Sequence, residues 1–142
     1  MPADLLTHVL RQADRTLVLS HRLAEWLTHA PELEEDMALA NISLDLLGQA
    51  RHLYTYAGKL EGHGHDEDHF AYERDATDFR NPLIVEQPNG DFAVTMARQV
   101  LHDHAALLYW ESMRTSTDQT LAALAARAVN ETRFHLRHST GW

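Results

Sequence analysis

EEDMALANISLDLLGQARHLYTYAGKL, residues 34–60, is the longest uninterrupted helical pattern in the chain. Ile42, Leu46, Gln49 and Leu53 recur at spacings of four, three and four, so they share one face of a 3.6-residue period. Three of them are apolar and the fourth is a neutral amide in mid-stripe. The other helices must bury their own apolar faces against this one, so the identities of Leu46 and Gln49 decide what such a core can hold.

Upstream, Leu6, Leu10, Ala13, Leu17, Leu23 and Leu27 mark a first helix over Ala3–Ala30. Pro2 stands where a first turn tolerates it, and Pro31 is expected to end the helix by pushing the residue before it out of the α region. Glu32, Glu34, Glu35 and Asp36 crowd the start of the second helix, Glu34–Leu60, and read as a solvated run that complements the helix dipole. Two long helices with so short a connector predict an antiparallel hairpin.

Gly62 and Gly64 end the second helix, and residues 63–90 are polar and irregular. Phe70, Tyr72, Phe79, Leu83, Ile84 and Val85 are expected to anchor this stretch, with a short helix near Glu67–Arg74. Asp91 is an N-cap after the turn-forming Asn89-Gly90 and opens a third helix, Asp91–Thr115. Its stripe is Phe92, Met96, Gln99, Asp103, Ala106 or Leu107, and Trp110. Asp118 caps a fourth helix, Asp118–Ser139, with the stripe Leu121, Leu124, Ala125, Ala128, Thr132 and His135. No strand pattern competes. Residues 1–142 therefore read as a single all-α domain with four core helices.

A chain of 142 residues can bury roughly two-thirds of its unfolded surface. The net charge of −9 argues against nucleic acid or an anionic membrane as partner. The absence of cysteine excludes disulfides and thiolate chemistry and suits a reducing compartment. With no secretory start and no apolar run near the ~20 residues that span a bilayer, the expected location is cytoplasmic.

Four helices with inward polar positions are the architecture of carboxylate-bridged dimetal sites. These take a Glu from each of two helices and a Glu-x-x-His pair from each of the other two. The first helix offers Glu25 and the third offers Asp103. The fourth has His135, but Thr132 stands three before it, and the second has Leu46 and Gln49. Leucine cannot ligate iron, and an amide is a weak substitute for imidazole. Two carboxylates stand where four are required, so the expectation is an emptied site with no metal and no catalytic residue.

The runs HAPELEEDMALANISLDLLGQAR, LIVEQPNGDFAVTMARQ and ETRFHLRHS resemble the PaaA/PaaC family of phenylacetic acid catabolism, on its PaaC side. The resemblance extends from about Leu17 to Trp142. It implies a ferritin-like bundle acting as a non-catalytic subunit of a ring 1,2-phenylacetyl-CoA epoxidase. Its partner would be a PaaA-like catalytic subunit, which carries the di-iron; no cofactor is then expected on this chain. Where the catalytic branch has D-E-A-G-H, this sequence has Asp45-Leu46-Leu47-Gly48-Gln49. Where that branch has E-E-S-F-H, it has Glu131-Thr132-Arg133-Phe134-His135. Family members continue with further helices, so the chain corresponds to their N-terminal portion. Outward apolar residues of the first two helices and the 63–90 connection are then expected to contact the partner, or a second copy of the chain in its absence.

Two sharper readings stand beside this one. His63, His65, Asp66, Asp68 and His69 could hold zinc or nickel, although a solvated loop is favoured. Glu131, His135 and His138 can share a helix face, and an atypical metal-dependent oxygenase would use Glu25, Asp103, Glu131 and His135. A buried His135 paired with Asp103 or Glu25 is preferred. Trp26, Trp110 and the Tyr54/Tyr56 pair read as packing residues.

Overall fold

The computed structural model describes residues 2–141, with side chains from Asp4 onward. Four long helices dominate: α1 (Pro2–Ala24), α2 (Leu33–Glu61), α5 (Phe92–Met113) and α6 (Gln119–Gly141). Between α2 and α5 lie α3 (Glu67–Tyr72), a 3₁₀ turn at Ala76–Asp78 and α4 (Leu83–Glu86). No strand occurs among the described residues. No helix among them is long and apolar enough to cross a membrane. The all-α class with four long helices, of the ferritin-like kind, is the expected one.

The chain packs as two compact units, Met1–His29 with Leu39–Gln87, and Ala30–Ala38 with Pro88–Trp142. In the first unit α1 and α2 run antiparallel. Asp14 meets Tyr54 and, further along α1, Ser20 meets Ser43 earlier on α2. The serine contact is reciprocal, each hydroxyl donating to the other residue's carbonyl at 2.9 Å. Such small side chains let the two backbones approach closely while both hydroxyls stay paired. Ile42, Leu46, Gln49 and Leu53 are all buried, as their spacing requires.

α1 ends six residues before the expected boundary at Ala30. The amides of Trp26 and Leu27 switch to acceptors three residues back, and Thr28 adopts a left-handed φ of 70°. The Ala30 amide then bonds to the Asp36 carboxylate at 3.1 Å instead of a helical carbonyl. Leu27, assigned to the apolar stripe, is exposed. Asp36 therefore serves the connector, and the acidic run is not merely solvated.

The connection is anchored more sparsely than expected. Phe70 and Val85 are buried, whereas Tyr72 and Leu83 stand in solvent. Polar contacts supply the rest of the anchoring. Arg22 of α1 donates to the carbonyls of Val85 and Glu86, closing the C-terminal end of α4. Phe70 stacks parallel to Tyr54, with ring centroids 6.0 Å apart.

In the second unit α5 and α6 form a hairpin, with Asp103 against Ser139 and Glu111 against Arg133. Asp91 caps α5 by accepting from the Val94 amide at 2.9 Å, and Asp118 accepts from Leu121 at 3.0 Å at the start of α6. Phe92, Met96, Gln99, Asp103, Ala106 and Trp110 line the buried face of α5.

Candidate functional site

The buried face of α2 consists of Leu39, Ile42, Ser43, Leu46, Gln49, Ala50, Leu53, Tyr54, Ala57 and Gly58. It includes no carboxylate and no imidazole. Leu46 and Gln49 each retain only 2% exposure, so both occupy inward positions of the helix.

Glu25 does not join the inward set. It lies beyond the end of α1, its side chain is 52% exposed, and it pairs with Arg22 at 3.1 Å. Its amide still bonds to the His21 carbonyl at 3.2 Å in the helical pattern, so Glu25 takes an outward position of the last turn rather than the expected inward one.

In the second unit Asp103, Thr132 and His135 are each about as buried as Gln49. The Asp103 carboxylate accepts from the Ser139 hydroxyl at 3.0 Å and lies 3.1 Å from His102 Nδ1. Both of its oxygens are thus held by neighbours of the same unit. His138 does not turn toward His135 as a second ligand. Its Nε2 lies 2.7 Å from the Glu35 carboxylate at the start of α2. Arg98 donates to the Asn89 side chain and the Thr95 hydroxyl to the Asn89 carbonyl, which ties the turn before α5 onto that helix.

A buried charged network on α1 is one that sequence reasoning missed. Asp14 is fully buried. Its Oδ1 accepts from Tyr54 Oη at 2.5 Å and from Arg74 Nη2, while its Oδ2 accepts from the Arg80 amide at 2.8 Å. Arg74 also donates to the Phe70 and Asp78 carbonyls and lies 4.3 Å from the Phe79 ring centroid. Burial first, and then the Asp14 carboxylate, hold the Tyr54 phenol well above the usual tyrosine range. Arg74 opposes that shift only in part. A signal does exist, because Asp14 lies four residues after Leu10 and three before Leu17, on the apolar stripe itself.

The buried carboxylates among the described residues are therefore Asp14 and Asp103. The first is engaged by a guanidinium, a phenol and an amide, and the second by a hydroxyl and an imidazole.

Outside the buried faces, Glu61, His63 and His65 converge after the end of α2, with their ligand atoms within 4.8 Å of one another. Asp66 and His69, grouped with these histidines in the sequence, have other partners. Asp66 caps α3 by accepting from the His69 amide, and His69 Nδ1 lies 3.0 Å from Glu73.

Residues 2–142 match the family of phenylacetic acid catabolic proteins (PaaA_PaaC). The chain is 54% identical over 139 residues to one of the subunits of the 1,2-phenylacetyl-CoA epoxidase of Escherichia coli strain K12. That match covers 98% of this chain and 56% of the relative, so the chain spans a little over half the length of the curated protein it matches. Family match and identity together show that the chain belongs to the phenylacetic acid catabolic protein family.

Proposed function

We propose that this chain is a non-catalytic structural subunit that binds and stabilises the di-iron catalytic subunit of a multicomponent phenylacetyl-CoA epoxidase. The observation that carries the reading is the buried face of α2, where leucine and glutamine stand at the inward positions and no carboxylate or imidazole is present. A pair of iron ions needs anionic ligands from several helices to balance its charge. One face without a carboxylate or imidazole, a second whose only buried imidazole is His135, a third whose Asp103 and His102 engage each other, and a Glu25 turned to solvent do not make such a set. The donor chemistry does not fit a di-iron centre, and no reaction step is assigned to this chain.

The competing reading, an oxygenase with an atypical site, relies on Glu25, Asp103, Glu131 and His135. It is weakened by the exposure of Glu25 and by the Ser139 and His102 contacts that occupy Asp103.

A structural subunit must present apolar surface to its partner. On α5, Val94, Leu101 and Leu108 recur every seven residues and all three are exposed. On α2, Leu33, Met37 and Leu44 are likewise exposed. Rows of this kind are what helix-on-helix association between subunits uses.

The test is co-purification with a PaaA-like subunit, with iron measured on each component separately. The expected result is a stable complex whose iron stays with the partner. Tightly held, near-stoichiometric iron on this chain alone, with oxygen consumption when an electron donor is added, would refute the reading.

A further inference from the structure

We infer that Glu61, His63 and His65 form a binding site for a divalent transition metal of the zinc class at the C-terminal end of α2. The segment reads Glu-Gly-His-Gly-His, and the two glycines are what bring its donors together. Gly62 and Gly64 both adopt a φ of 75°, a left-handed conformation that side-chain-bearing residues rarely take. The Gly62 amide bonds to the Gly58 carbonyl at 3.1 Å, which closes the helix. The chain then changes hand at Gly62 and again at Gly64, so both imidazoles return to the carboxylate at the helix end. Glu61 Oε1 lies 3.7 Å from His63 Nδ1 and is in direct contact with His65 Nδ1.

Ligand atoms about a tetrahedral zinc, at bond lengths near 2.0–2.1 Å, lie roughly 3.3–3.5 Å apart. The observed donors all lie within 4.8 Å, so side-chain rotation of about an ångström lets one ion meet all three. Two imidazoles and a carboxylate are a zinc-type set that leaves a fourth position for water.

The central ligand is already held in place. The His65 ring stacks on His69 at a centroid distance of 3.5 Å and meets the Phe70 ring edge-on at 6.2 Å. Its carbonyl packs so closely over Gly58 that a Cβ there would come within 2.3 Å. His63, by contrast, is 70% exposed and can swing onto an arriving ion at little cost. His65 immediately precedes Asp66, the N-cap of α3, so a bound ion would tie the end of α2 to the start of the connection.

Without metal the same three groups make only partly solvated polar contacts, worth little. Zinc affinity of the tag-free, metal-stripped chain, measured by competition with a chromogenic chelator at neutral pH, separates the two cases. The chain has eleven histidines, so site identity rests on the variants. One equivalent should bind with a Kd on the order of micromolar or tighter. His63→Ala and His65→Ala should each weaken binding at least about tenfold, and His104→Ala, an exposed histidine on α5, should leave it unchanged. His63 is exposed enough that its loss cannot unfold the chain, so that variant decides the question. An affinity no better than about 100 micromolar, or one that His63→Ala does not change, means adventitious binding and overturns the assignment.

Discussion

Replacing Asp14 by Asn tests whether the connection between α2 and α5 is held by buried charge rather than by apolar anchors. The substitution keeps the shape of the side chain and removes its charge and one acceptor. Asp14 Oδ1 serves Tyr54 and Arg74, and Oδ2 serves the Arg80 amide at 2.8 Å and Arg74 Nη1 at 3.4 Å. An amide has one oxygen. If that oxygen keeps Arg80, the amide nitrogen faces Arg74 Nη2 and leaves Tyr54 to reverse its role. If it keeps Tyr54, the nitrogen faces the Arg80 donor.

In either orientation the guanidinium, whose side chain is only 10% exposed, loses its counter-charge. Removing one partner of a buried pair costs about 3–5 kcal/mol. Arg74 retains the Phe70 and Asp78 carbonyls, which puts the expected loss near the lower end, about 3 kcal/mol. That is a large share of the roughly 5–15 kcal/mol that holds a domain folded. At about 2–4 °C per kcal/mol for chains of this size it lowers the Tm by roughly 10 °C. Urea unfolding measures the loss. Glu111→Gln, which breaks the exposed pair with Arg133, is the control and should change stability by less than about 1 kcal/mol. With Arg74→Met added, the two losses should fall short of their sum. A D14N variant within about 1 kcal/mol of the parent chain, or full additivity with Arg74→Met, refutes the network as the anchor.

Three further outcomes follow from the same geometry. Tyr54 has its phenol pKa raised in the fold, so its stabilising contribution is complete below the unfolded value near 10 and is lost as pH climbs beyond it. The slope above that pH is at most about 1.4 kcal/mol per unit, and Tyr54→Phe, read by alkaline unfolding, should flatten it. Gly58→Ala places a Cβ 2.3 Å from the His65 carbonyl and should cost about 1–3 kcal/mol in chemical denaturation, because backbone has to move; a neutral result would mean the 62–65 segment is not fixed against α2. Changing Val94, Leu101 and Leu108 together to Ser should leave the circular dichroism of the chain intact while weakening pull-down of a PaaA-like subunit at least about tenfold. Undiminished capture would remove α5 as the contact face.

The long helices are legible because each has a property that only local sequence can supply. Asp91 and Asp118 cap their helices as expected, and the α2 stripe is buried residue for residue. The end of α1 is not legible. Pro31 marks a limit beyond which the helix cannot continue, but the helix stops earlier, where the Trp26 and Leu27 amides turn to acceptors three residues back and Thr28 takes a left-handed φ of 70°, none of which the sequence announces. In the connection, apolar residues alone do not reveal which of them find a surface. Phe70 does because Tyr54 offers a stacking face, and Tyr72, two residues on, points the other way.

The same distinction governs the polar positions. Gln49, Asp103 and Asp14 all interrupt apolar stripes, so periodicity marks each as a buried polar group that requires partners. It does not say where the partners come from. For Asp103 they include His102, one residue away, and the Ser139 hydroxyl on the facing helix, neither of which the sequence reading names. For Asp14 they come from Arg74 and Arg80, some sixty residues downstream in a stretch with no periodicity to read. A buried carboxylate on a helix of this family is therefore weak evidence for a metal ligand until its neighbours are known. An arginine brought in by a connection satisfies it as fully as an iron ion would, and charge balance then leaves nothing for a metal to neutralise. Glu61 is the converse case. It lies outside every apolar stripe and so carries no periodic signal, yet two left-handed glycines bring two imidazoles to it.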